Sequence, residues 1–91
     1  MKYLKLKRLQ RGHGYRQMQE RIDNGSAWHL EGSFGRTAME ALKSGACMLP
    51  KKAHRDAYGN RVPSRDELLK GTKGTFQNSV EYYKQFDYGA V

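Results

Sequence analysis

The chain reads as a small α+β domain, a short two-stranded sheet covered by three or four short helices. Three observations carry that reading. The 91 residues suffice for one domain. Apolar side chains recur at helical spacing in three separate stretches, at positions 15/18/22, 34/38/41/42 and 76/80/83. Between and before these lie short alternating or continuous apolar runs that suit strands. Only 37% of the residues are hydrophobic, yet Trp28, three Phe and six Tyr are present. Each ring can bury about 150–250 Å², and a disordered polycation would not carry so many.

The elements follow in order. Leu4 and Leu6 alternate with Lys5 and Lys7, which is strand period, so residues 1–11 are expected to form a basic strand or arm. Gly12-His13-Gly14 ends it. Tyr15, Met18 and Ile22 mark one face of a helix over 15–23, closed by Asn24-Gly25. Residues 26–30 hold Trp28 in a short helical turn, with Trp28 as a core anchor. The next helix is the clearest. Ser33 or Thr37 caps it, Thr37 and Glu40 fit a capping box, and Gly45 stands where a C′ glycine belongs.

The apolar run 46–49, ended by Pro50, is expected to be a buried strand or extended segment, with residues 3–9 as a candidate pairing partner. Residues 51–64 read as a basic loop or loose hairpin turning at Tyr58-Gly59-Asn60. Ser64, with Glu67 three residues on, predicts a short helix that stops at Gly71. Residues 71–75 are a link, and Phe76, Val80 and Tyr83 mark a last helix over 76–86. Residues 87–91 are expected to fray.

Charge is the strongest functional signal. Seventeen Lys and Arg stand against nine Asp and Glu, a net charge of +8. Residues 1–11 carry Lys2, Lys5, Lys7, Arg8 and Arg11 with no acid, and residues 50–73 carry seven bases against three acids. A field so concentrated attracts polyanions: nucleic acid, an acidic protein face or an anionic membrane. The membrane reading is set aside, because no apolar run approaches the ~20 residues that span a bilayer and the basic start is short for an anchor. Cys47 stands alone, which excludes an internal disulfide and fits a reducing, cytoplasmic compartment.

Catalytic and metal chemistries find little support. His13, His29, His54 and Cys47 lack the close-set pairs of a zinc site. His54-Arg55-Asp56 matches a kinase catalytic triplet, but the chain is far too short for that fold. Gly71-Thr72-Lys73-Gly74-Thr75 sets a lysine among glycines without Walker spacing. No local signature gathers a nucleophile and a base. The expectation is therefore a protein that is not an enzyme and needs no cofactor. Its candidate contact residues are Lys5, Lys7, Arg8, Arg11, Arg36, Lys51, Lys52, Arg55, Tyr58, Arg61, Arg65 and Lys73. The cations suit phosphates or carboxylates, and the tyrosines among them suit stacking. No known nucleic-acid reader motif is present.

Two stretches carry a resemblance: Leu30-Glu31-Gly32-Ser33-Phe34-Gly35-Arg36-Thr37-Ala38-Met39 with Ser44-Gly45, and Asp56-Ala57-Tyr58-Gly59-Asn60-Arg61-Val62-Pro63-Ser64-Arg65 with Gly71-Thr72-Lys73-Gly74. Together they resemble small uncharacterised accessory proteins of tailed bacteriophages over about half the chain. The resemblance implies a context: early in infection such proteins bind a host polymerase, a replication enzyme or a defence complex. The function expected is non-catalytic binding to a host protein or protein–nucleic acid complex through the basic surface. The alternative is direct, sequence-indifferent binding to DNA or RNA, and a third is a virion component.

Overall fold

The computed structural model describes residues 1–29 and 32–86. Their order is α1 (Tyr3–Gly12), α2 (Arg16–Asp23), a 3₁₀ turn (Ser26–His29), α3 (Gly32–Ser44), β1 (His54–Arg55), β2 (Arg61–Val62) and α4 (Phe76–Lys84). The two strands form one antiparallel hairpin, with His54 opposite Val62 and Arg55 opposite Arg61. The architecture is thus the expected α+β domain of four helices and a two-stranded sheet.

The spine of the domain is the run of residues 45–50, every one of them buried. It opens with a turn and two bends, runs on without regular secondary structure, and among the described residues pairs with no strand. A buried backbone must still satisfy its N–H and C=O groups, and here side chains do so. Gln19 binds both sides of Met48: its Oε1 accepts from the Met48 N–H at 2.8 Å and its Nε2 donates to the Met48 carbonyl at 3.0 Å. Gln10 and the Tyr83 hydroxyl donate to the Ala46 carbonyl, the Ser79 hydroxyl donates to that of Gly45, and Arg65 Nε donates to that of Leu49. Gln10 also donates to Gln19 at 2.8 Å, which locks α1 to α2 beneath the spine.

Two apolar clusters flank this run. The larger joins Ile22, Ala27, Ala38, Ala41, Leu42, Ala46, Cys47 and Leu49, with Trp28, Phe34 and Tyr82 packed on it. Its alanines let α3 approach closely. The smaller joins Leu6, Met48 and Tyr83, ringed by Tyr3, Leu9, Phe76 and Phe86. Gly45 adopts φ +100°, the left-handed region, and a Cβ there would meet Tyr82 Cβ at 2.8 Å and the Asn78 carbonyl at 3.0 Å. It is both the C′ glycine of α3 and the point on which α4 rests.

Several local expectations are corrected. Residues 1–11 are not a strand or arm: Tyr3–Gly12 is helical. Leu6 and Gln10, at i and i+4, are its buried positions, while Leu4 is 70% exposed. The run 46–49 consequently has no strand to pair with. Helix α3 begins at Gly32, before Thr37, whose hydroxyl donates back to the Ser33 carbonyl, so no capping box forms there. Ser64 to Lys70 makes turns only. Glu67 does reach back to accept from the Ser64 N–H at 2.8 Å, yet Arg65 is drawn inward and Gly71 follows at φ +90°, leaving too short a stretch to nucleate a helix. The helices over 15–23 and 76–86 are present within a residue or two, as are the 3₁₀ turn and the hairpin in 51–64. The expected fraying of 87–91 lies outside the described residues.

Candidate functional site

Two grooves gather the candidate cations. The first, about 740 Å³, runs between α1 and α2. Lys7, Arg8 and Arg11 line it from α1, Arg11 lying four residues after Lys7 and three after Arg8. Arg16, Glu20 and Asp23 come from α2, and Lys51 enters just after the buried Pro50. Tyr3 sits among them, with Lys7 Nζ 5.7 Å and Lys51 Nζ 5.8 Å from its ring centre.

The acids of this groove are already engaged. Glu20 Oε1 accepts from Arg16 Nε at 3.2 Å, and Asp23 Oδ1 accepts from Arg65 Nη2 at 2.6 Å and from Gln19 Nε2 at 3.1 Å. Lys7, Arg8, Arg11 and Lys51 form no ion pair with a described residue. The lysine–ring contacts supply about 0.5–1 kcal/mol each at such exposure, but they leave the positive charge in place.

The second groove, about 630 Å³, lies between α3 and the β1–β2 hairpin. Trp28, Met39, Leu42, Leu49 and Val62 line it, with Arg36, Lys43, Arg61 and Lys73 around them and Tyr58 on the hairpin side. Among the described residues Asp56 is the one acid in the lining, and its own turn consumes it: Oδ1 accepts from the N–H groups of Tyr58 and Asn60 at 2.9 and 2.8 Å. The Asn60 N–H bond is the chief cause holding this carboxyl below its usual pKa. Arg61 Nη1 donates to Glu67 Oε1 at 2.6 Å, and that guanidinium, with the Ser64 N–H, brings Glu67 down to about 2.

The twelve candidate residues therefore divide. Lys7, Arg8, Arg11 and Lys51 meet in the first groove, and Arg36, Tyr58, Arg61 and Lys73 in the second. Lys5, Lys52 and Arg55 are exposed outside both, Arg55 donating to the Gly59 carbonyl at 2.8 Å. Arg65 is interior, 8% exposed, bridging Asp23 on α2 and the Leu49 carbonyl. The histidines are dispersed. His13 packs on the rings of Tyr83 and Phe86, while His29 and His54 Nε2 each sit 2.9 Å from a backbone carbonyl, of Arg55 and Asp23 respectively. Sequence reasoning passed over Met39 and Lys43 as groove residues. The available signal was their helical register: Arg36, Met39 and Lys43 fall at i, i+3 and i+7, beside the buried stripe of α3.

The described linings of the two grooves offer cations for anions and apolar side chains for apolar groups. No protein-family model matches the chain, no curated protein is similar to it, and no solved structure matches it.

Proposed function

We propose that this is a non-catalytic binding protein, of the accessory kind that tailed bacteriophages direct at their hosts. It docks through its cationic groove on nucleic-acid machinery or a defence complex and alters the activity of that target. One observation carries the reading. Lys7 and Lys51, far apart in sequence, converge on the Tyr3 ring beside Arg8 and Arg11, and among the described residues no carboxylate pairs with them. Like charges gathered this way oppose folding, so an external anionic partner is the natural recipient of the field.

The test is affinity capture from bacterial lysate, with and without nuclease. The triple variant Lys7→Glu, Arg8→Glu, Arg11→Glu should lose a partner that wild type retains after nuclease. Equal capture by both proteins would refute the assignment of this groove.

A second reading, direct binding to single-stranded nucleic acid, is favoured by the placement of Tyr3 among cations, the composition of a stacking track. Contacts from Lys7, Arg8, Arg11 and Lys51 would then give a log–log salt slope of about −3 for any sequence, at about −0.7 per phosphate. An affinity insensitive to salt would exclude it.

A further inference from the structure

We propose that the second groove, between α3 and the β1–β2 hairpin, seats an extended acidic segment of the partner protein, with two carboxylates about 13 Å apart on one face flanking one large apolar side chain. The inference rests on the reading of the partner as a protein and names the chemistry by which it is recognised.

The apolar requirement comes from the lining. Trp28, Met39, Leu42, Leu49 and Val62 face a space of about 630 Å³, and Met is an adaptable filler for a side chain arriving from outside. A phosphodiester backbone would leave these groups uncovered, whereas a Leu, Phe or Trp would cover them. The acidic requirement comes from the rim. Asp56 is spent on its own turn and Arg61 on Glu67. That leaves Arg36, Lys43 and Lys73 around the lining without an ion pair to a described residue. Lys73 Nζ donates to the Lys43 carbonyl at 3.2 Å, which holds this ammonium against α3.

The spacing follows from the helix. Arg36 and Lys43 are seven residues apart, about 10.5 Å along one side of α3. Side chains of an extended segment alternate faces, so acids four residues apart share one face over about 13 Å with the residue midway between them; an acid–x–apolar–x–acid run therefore sets one apolar side chain between two carboxylates, within reach of the long Arg36 and Lys43 side chains.

The hairpin supplies the opposite wall, and it is preorganised. Asp56 braces residues 58–60, Arg55 Nη1 donates to the Gly59 carbonyl, and the Ala57 N–H donates to the Trp28 carbonyl at 3.3 Å. This rigid turn presents Tyr58 at 91% exposure. A tyrosine so placed adds little to the core, and Tyr and Arg are the residue types that dominate interface energetics.

The test uses fluorescence anisotropy with a labelled synthetic peptide whose core is Glu-Ser-Trp-Ser-Asp. Controls are the same peptide with Gln and Asn for the acids, the peptide with Ala for Trp, and labelled oligothymidylate. Saturable binding of the acidic peptide is expected, weakened at least tenfold by Arg36→Glu, by Met39→Ser and by Tyr58→Ala. Lys7→Glu should leave it unchanged, and circular dichroism verifies that each variant folds. Absence of saturable binding up to millimolar peptide overturns the proposal. So does equal affinity for the Trp-less peptide, or oligothymidylate binding that Arg36→Glu weakens as much as Lys7→Glu does. Peptide binding that survives while the triple first-groove variant still captures its partner would sink the proposed function but leave this site standing. Absence of peptide binding, with a partner that wild type captures and the triple variant loses, would do the reverse.

Discussion

Replacing Arg65 by alanine should destabilise the domain without removing a cation from either groove. Arg65 makes two side-chain bonds in the interior, to Asp23 Oδ1 at 2.6 Å and to the Leu49 carbonyl at 2.8 Å. Removing one member of a buried pair typically costs about 3–5 kcal/mol, because the remaining charge is left uncompensated. Asp23 is a quarter exposed and keeps its bond from Gln19, so the lower end, about 3 kcal/mol, applies. A domain of 91 residues holds between about 5 and 14 kcal/mol in total, so the loss is a large fraction of it.

The assay is equilibrium urea unfolding followed by Trp28 fluorescence. With a slope of about 1.5 kcal/mol per molar, the midpoint should fall by about 2 M. Arg65→Lys keeps the charge but loses the planar fork, and should fall between wild type and Arg65→Ala. Capture of the partner by Arg65→Ala combined with Asp23→Asn, which leaves no freed carboxylate in the first groove, should match wild type where that variant is fully folded. A midpoint within about 0.3 M of wild type together with lost capture would refute the structural role and return Arg65 to the contact surface, as the sequence alone had suggested.

Gly45→Ala should cost about 2–3 kcal/mol, from the left-handed backbone and the clash with Tyr82 and Asn78, and lower the melting temperature by at least about 8 °C; an unchanged melt would contradict the close seating of α4. Glu67 titrates at about 2 in the folded protein against about 4.3 in an unfolded chain, so its contribution is whole above that unfolded value and is lost as pH falls towards 2. Glu67→Gln should therefore flatten the acid limb of the stability profile between those limits, and an unaltered limb would argue against the Arg61 pair. Burial pushes the Cys47 thiol up to about 12, so the folded protein should resist alkylation at pH 8 while the urea-unfolded chain reacts fast; equal rates would contradict the buried placement. The same shift means that stability should decline as pH rises above the ordinary cysteine range, where only the unfolded chain ionises.

Periodicity revealed α2 and α4, glycine chemistry revealed the end of α3, and a turn signal revealed the hairpin, because each depends on neighbours within a few residues. Helix α1 was misread for a definite reason. Leu4 and Leu6 alternate as in a strand, while the buried pair that betrays the helix is Leu6 with Gln10, and a glutamine does not register as a core residue until its amide partners are known. The partners, Gln19 and the Ala46 carbonyl, are nine and thirty-six positions away.

The division of the charges followed the same logic. Composition and local clustering established that this chain is basic and where its cations concentrate, and no arrangement of the backbone could alter that. Which cations act together was a matter of long-range packing. Lys51 joins Lys7 over Tyr3 because the spine delivers it there, Arg36 meets Lys73 across a groove, and Arg65 turns inward to Asp23. A charged side chain near the surface and one sealed in the interior are the same letter in sequence; burial and the distance to the nearest carboxylate separate them, and both are properties of residues far apart along the chain.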